Sequence, residues 1–144
     1  MFLGTHQHGL DIKGRITIPA KYREKLGDRF VASKGLEKCI SLYPLEDFQE
    51  LSNKLRDLPQ LSRADVRSFV RLFYANSSEL EMDKQGRIVL PTNLREHAAV
   101  DKNIFIIGNG NHIEIWSQEK WIEQETAGDS SIEKLAASLV DLDI

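Results

Sequence analysis

The chain has 144 residues and a formal net charge of −3, with 41% hydrophobic and 28% charged residues. That suffices for one respectable core or two small ones and is too apolar for a disordered protein. No apolar run approaches the ~18 residues of a membrane span, the start from Met1 to His6 lacks the stretches of a secretory signal, and the lone Cys39 excludes a disulfide framework and a four-cysteine zinc site, so a cytoplasmic location is expected.

In chain order, His6 and His8 alternate and so share one face of a first strand. Neither has a cysteine or carboxylate partner at ligand spacing, so no metal is expected. Asp11-Ile12-Lys13-Gly14 reads as a type I turn, with Asp11 capping backbone N–H groups and Gly14 free to take a positive φ. A tight hairpin is predicted, with Arg15 as the first residue of the returning strand Ile16-Thr17-Ile18. Pro19 stops that strand and starts a short helix from Ala20 to Leu26. A second strand pair follows, Phe30 to Ser33 with Ile40 to Tyr43, and Cys39 beside it is expected to be packed, not nucleophilic.

Phe48, Leu51, Leu55 and Leu58 recur at helical spacing until Pro59 ends the pattern. Ser62 with Asp65 resembles a capped start for another helix, with Val66, Phe69, Val70 and Phe73 as its apolar stripe. Arg63, Arg67 and Arg71 lie four apart on one face, a pattern more typical of a solvated face or subunit contact than of a ligand site.

The remainder repeats the beginning. Shifting by 72 places sets Leu10-Asp11-Ile12-Lys13-Gly14-Arg15-Ile16-Thr17-Ile18-Pro19 over Met82-Asp83-Lys84-Gln85-Gly86-Arg87-Ile88-Val89-Leu90-Pro91. The match continues through Arg23-Glu24 and Arg95-Glu96, so a duplication is indicated. The second copy predicts a helix from Thr92 to Ala99, then strands Ile104 to Ile107 and His112 to Trp116. The turn Gly108-Asn109-Gly110-Asn111 joins those strands and is no nucleotide loop, lacking a third glycine and a following helix. A further helix starts near Ser117, with Trp121, like Phe48 before it, as a core or interface anchor. A last acidic helix is expected from Ser131 to Leu142.

The unit is therefore β-β-α-β-β, twice, with a helical hairpin between. We divide the chain into a first repeat at 1–48, a helical linker at 49–76, a second repeat at 77–124 and an acidic tail at 125–144. A module of ~45 residues is too small to stand alone, and two halves with open strand edges are most simply satisfied by closing a barrel together. The charge is segregated: residues 101–144 carry nine acidic and three basic side chains, while residues 1–100 carry 16 basic and 13 acidic. A mildly basic body followed by an acidic end fits a nucleic-acid partner better than the total does.

Tandem Asp-x-x-x-Arg turns, Asp11 to Arg15 and Asp83 to Arg87, resemble the MraZ family of bacterial regulators. The start Met-Phe-Leu-Gly and the stretches Gly-Arg-Ile-Thr-Ile-Pro and Gly-Arg-Ile-Val-Leu-Pro carry the same resemblance, which covers nearly all the chain except the acidic tail. The resemblance implies an α+β, mainly β fold: a double-psi or swapped-hairpin AbrB-like β-barrel. It also implies a ring-shaped homo-oligomer and a cytoplasmic, nucleoid-associated transcription regulator. Such a protein would act at the promoter of the division and cell-wall gene cluster, usually as a repressor, on short G-rich direct repeats of double-stranded DNA. Neither a cofactor nor a membrane partner is implied.

An arginine leaving a tight turn can bond bidentately to guanine O6 and N7 in the major groove. Arg15 and Arg87 are the candidates for that contact, with Lys13 and Lys84 nearer the phosphates. Lys21, Arg23 and Arg95 could add contacts to the DNA backbone. Asp11 and Asp83, with Gly14 and Gly86, would shape the turns and orient the arginines. The plain alternative is a turn with a surface ion pair worth ~0–1 kcal/mol, in a structural or protein-interaction module. No Ser/His/Asp, paired-carboxylate or His-Glu-x-x-His arrangement suggests an enzyme.

Overall fold

The computed structural model describes residues 1–142. Its strands are β1 (Thr5–Gly9), β2 (Arg15–Thr17), β3 (Arg29–Lys34), β4 (Ile40–Pro44), β5 (Ser78–Glu81), β6 (Arg87–Val89), β7 (Asn103–Gly108) and β8 (Ile113–Ser117). Helices α1 (Ala20–Leu26), α2 (Leu45–Arg56), α3 (Ala64–Ala75), α4 (Thr92–Ala98) and α5 (Gln118–Ser138) lie between and after them. Pro19, Pro44 and Pro91 stand at the caps of α1, α2 and α4, each with φ between −51° and −57°. At those positions proline ends a strand and admits a helix without losing an N–H that the helix needs.

Strand pairing differs from the hairpins expected. β1 does not pair with β2, nor β5 with β6. Instead β1 runs antiparallel to β7 of the other repeat, with His6 opposite Ile106, and β5 runs antiparallel to β3, with Leu80 opposite Phe30. β2 pairs with β6 around the central Ile16–Ile88 match. The result is a six-stranded sheet in the order β1-β7-β8-β4-β3-β5, and a two-stranded ribbon of β2 and β6. The sheet order is palindromic: exchanging the repeats turns it into itself, about an axis between β8 and β4 and between β2 and β6. The expected closed barrel is not formed, because β1 and β5 end as sheet edges and do not meet each other.

Both repeats fill one core. Ile16, Ile18, Tyr22, Leu26, Phe30 and Leu42 from the first pack with Ile88, Leu90, Leu94, Ile104, Ile106 and Ile115 from the second. Each such side chain contributes ~1.5–3 kcal/mol on burial, so neither half retains its stability without the other. A smaller cluster of Cys39, Ile107 and Trp116 is covered by Phe105 and by Trp121 of α5. Burial and the nearby Glu114 and Glu37 carboxylates push the Cys39 thiol up to about 12, so it remains protonated and unreactive.

One helix boundary also differs. Arg63, not Ser62, occupies the cap of α3, with no side-chain cap bond, and its guanidinium pairs with Asp65. The acidic tail forms the helix expected of it: the backbone of α5 breaks at a non-helical Ser131 (φ −137°, ψ 15°), a second helical segment runs from there to Ser138, and a 3-10 turn, Val140–Leu142, follows. Asp143 and Ile144, the end of the predicted tail, lie outside the described residues.

Candidate functional site

The two Asp-x-x-x-Arg turns adopt the same geometry. Asp11 Oδ1 accepts from the backbone N–H of Lys13 (2.8 Å) and of Arg15 (2.9 Å), while Asp11 Oδ2 accepts from Arg15 Nε (2.8 Å). In the second copy Asp83 Oδ1 accepts from Gln85 N–H and Arg87 N–H, both at 2.9 Å, and Oδ2 from Arg87 Nε (2.9 Å). Gly14 (φ +74°) and Gly86 (φ +78°) provide the left-handed residue that closes each turn. The Arg15 backbone N–H, and then its guanidinium, hold the Asp11 carboxyl below the usual aspartate value. The Arg87 backbone N–H, helped by its guanidinium, does the same for Asp83 against the opposing effect of desolvation.

This arrangement fixes each arginine by its Nε and leaves its two Nη groups without a partner among the described residues. Cross-strand register then brings both arginines together. Arg15 stands opposite Val89, and Arg87 opposite Thr17. Strand alternation puts these four on one face of the ribbon and Ile16 with Ile88 on the other, where both isoleucines are buried. Two arginines 72 positions apart in sequence thus lie two registers apart on one face, their α-carbons roughly 8 Å from each other by strand spacing. Their side chains are 29% and 35% exposed.

Each turn is clamped by the opposite repeat. The Gly14 carbonyl accepts from Leu90 N–H (3.0 Å), and the Gly86 carbonyl from Ile18 N–H (2.8 Å). Arg95 of α4 reaches over Gly14, and Arg23 of α1 over Gly86. Arg23 Nε also donates to the Ile18 carbonyl (2.9 Å), while Arg95 Nη2 donates to Thr92 Oγ1 (3.1 Å). The repeat match Arg23-Glu24 with Arg95-Glu96 signals that both arginines do the same job, but only the strand exchange reveals that each does it for the other's turn.

The remaining predicted residues divide by position. Lys13 and Lys84 are exposed on the turns, at non-equivalent places: the counterpart of Lys13 is Gln85, and that of Lys84 is Ile12. Ile12 is 103% exposed at its turn, a residue that charge-based reasoning passes over. Lys21 is drawn aside, its Nζ 5.3 Å from the centre of the Tyr22 ring. His6 and His8 do share a half-buried face of β1, where His6 packs edge-on to Tyr22 at 5.3 Å. Burial, Lys21 and His8 all lower the His6 pKa, which keeps the ring neutral near pH 7.

Comparison with known proteins agrees with the doubling. The family model described as MraZ protein matches twice, over residues 1–71 and 73–143, and so takes in the acidic end of the chain as well. The chain is 57% identical to the transcriptional regulator MraZ of Syntrophomonas wolfei over 144 residues, the full length of both. It is 51% identical to that of Natranaerobius thermophilus over the same length, and 48% to that of Desulforamulus reducens over 142 residues, 99% of each chain.

Proposed function

The chain belongs to the MraZ family, and from that premise we propose that it is a transcriptional regulator that binds double-stranded DNA in a sequence-specific manner through the β2–β6 ribbon. The observation that carries this reading is the pair of arginines on one ribbon face, each held at Nε by its own aspartate with both Nη groups free. A two-stranded ribbon fits the major groove, and a guanidinium presented that way matches the O6 and N7 acceptors of guanine.

In this reading Arg15 and Arg87 contact guanines, while Lys13, Lys84 and Lys21 neutralise phosphates. Arg23 and Arg95 serve chiefly to hold the turns in their presenting geometry, with the DNA backbone within reach of their exposed sides. Asp11 and Asp83 with Gly14 and Gly86 shape the turns. The exchanged ribbon is the AbrB-like element of the fold. The targets are short G-rich direct repeats at the promoter of the division and cell-wall gene cluster, including its own gene, where the protein acts as a repressor and sits with the nucleoid. Several weak sites in a row suit a ring-shaped homo-oligomer, because tethering converts later contacts into intramolecular ones.

Fluorescence anisotropy on a G-rich repeat fragment over a salt series tests the assignment. Each bidentate guanine contact is worth about 1–3 kcal/mol, so Arg15→Ala and Arg87→Ala each weaken binding by roughly 5–150-fold. The larger loss is expected for Arg15, whose turn carries Lys13 and precedes the more basic helix. Unchanged affinity in both variants, or no salt dependence, refutes the readout.

A further inference from the structure

The β2–β6 ribbon carries two residues that the arginine readout leaves unused. Ile88-Val89-Leu90 is an unbroken apolar run, yet alternation buries only Ile88 and Leu90 and turns Val89 outward, where it is 56% exposed. The same alternation in the first repeat buries Ile16 and Ile18 and turns Thr17 outward. A single exposed valine is ordinary on a protein surface. This one is distinguished by its place.

Arg15 pairs with Val89 across the ribbon, and Thr17 pairs with Arg87. The backbone bonds from Leu90 N–H to the Gly14 carbonyl and from Ile18 N–H to the Gly86 carbonyl lie just outside these two pairs. Both pairs are therefore of the narrow kind, with α-carbons ~4.5 Å apart. Along the strands, Thr17 stands two residues from Arg15, and Val89 two residues from Arg87, on the same face. The four side chains form a small rectangle, with the arginines on one diagonal and the two β-branched residues on the other. A ribbon lowered into a groove cannot bring both guanidinium groups to base edges without bringing Val89 there as well.

The valine side chain has no donor or acceptor, so against a guanine, cytosine or adenine edge it would strip water from polar groups and return nothing. In the major groove only the thymine C5-methyl offers it apolar surface. That methyl stands out from the base edge, where a short side chain meets it while the longer arginine beside it reaches guanine O6 and N7. Base steps of ~3.4 Å and a narrow pair of ~4.5 Å match neighbouring bases. Thr17, with a methyl and a hydroxyl, accepts either kind of edge. We infer that Val89 is a specificity-determining residue, packing on the C5-methyl of a thymine one base step from the guanine read by Arg15. This rests on the DNA reading above and adds to it. The Arg15 end of the ribbon demands a thymine neighbour and the Arg87 end does not, so the ribbon lies on its site in one direction despite its internal symmetry.

Deoxyuridine tests the contact, because uracil pairs as thymine does and lacks only the methyl. Anisotropy is measured on the G-rich repeat fragment with thymines one base step from each guanine run, and on the same duplex with those thymines replaced by deoxyuridine. Wild type should bind the uracil duplex roughly 3–5-fold more weakly for each repeat engaged, the effect of one buried methyl. Val89→Ala, at an exposed position that makes no demand on the core, should bind both duplexes alike. It should keep the wild-type salt slope, since no phosphate contact is lost. Ile12→Ala, on the turn and outside the rectangle, should keep the wild-type difference between the duplexes. Equal affinity of wild type for the two duplexes overturns the methyl contact and leaves the arginine readout standing. A difference that survives Val89→Ala, or is lost in Ile12→Ala instead, overturns it too. Wild type that binds neither duplex in a salt-dependent manner overturns the DNA reading and the contact together.

Discussion

Alanine at the two turn glycines should not cost the same, although their φ angles differ by only 4° (+74° and +78°). Forcing a non-glycine residue into the left-handed region costs about 1–2 kcal/mol at either site. What differs is the neighbour. A Cβ on Gly14 would lie 2.7 Å from Arg95 Nη1, the far end of a flexible side chain whose Nε is unpartnered. A Cβ on Gly86 would overlap Nε and Cζ of Arg23, the atoms engaged with the Ile18 carbonyl. Displacing Arg23 forfeits a half-buried hydrogen bond from a charged donor, worth about 1–2 kcal/mol after allowing for solvent. Gly14→Ala should therefore destabilise by about 1–2 kcal/mol and Gly86→Ala by about 3, or roughly 3–7 °C and about 10 °C in Tm for a chain this long. Urea unfolding and calorimetry at one fixed protein concentration measure both, since assembly shifts apparent stability. Placing Gly86→Ala in an Arg23→Ala background should leave only the conformational part. Equal losses for the two glycines, or no coupling to Arg23, would refute the clamp.

Two further outcomes follow from the same geometry. The folded-state pKa values of Asp11 and Asp83 lie below the ordinary 3.8, so their stabilisation is complete above about pH 4 and is lost as pH falls through the depressed values. The acid limb of an unfolding curve below pH 4 should flatten in an Asp11→Asn, Asp83→Asn variant, and these groups should give stability no pH dependence between pH 6 and 8, where their contribution is full and constant. Ser117 Oγ accepts from Lys120 N–H (3.1 Å) at the start of α5, whereas Pro44 gives α2 no such cap. Ser117→Ala should cost about 0.5–2 kcal/mol and loosen Trp121 from Trp116, seen as a red shift in tryptophan emission.

What could be read from the chain was local. The turns at Asp11 and Asp83, the prolines that start α1 and α4, and the strands that follow those helices all follow from short-range preferences, and the structure places them within a residue or two of expectation. Partner choice was not legible. The Asp11–Gly14 turn determines that the chain reverses, but Ile16 can pair with β1 or with Ile88 at no local difference. Burying both isoleucines in one core decides it, and that core has members from the whole chain. The candidate site shows the same division. Arg15, Arg87 and their aspartates are visible as a motif, while Arg23 and Arg95 look like loose basic residues until the exchange lays each across the opposite glycine. Ile12 escaped because nothing local marks an isoleucine as solvent-facing.

The exchange has a consequence for how the protein is made. β1 has no partner until β7 emerges, and β3 lacks its second neighbour until β5 does. Between completion of β4 at residue 44 and of β7 at residue 108, a ribosome adding ~5–20 residues per second takes roughly 3–13 s. Throughout that interval the nascent first repeat displays an unpaired β1 and an incomplete core to any neighbouring chain on the same message, and until β5 is complete at residue 81 an open edge of β3 as well. The duplicated sequence makes such a neighbour an acceptable substitute, since its own first repeat offers the same residues. Covalent linkage of the repeats supplies the correct partner at high local concentration, and biogenesis becomes a race between that linkage and the crowd.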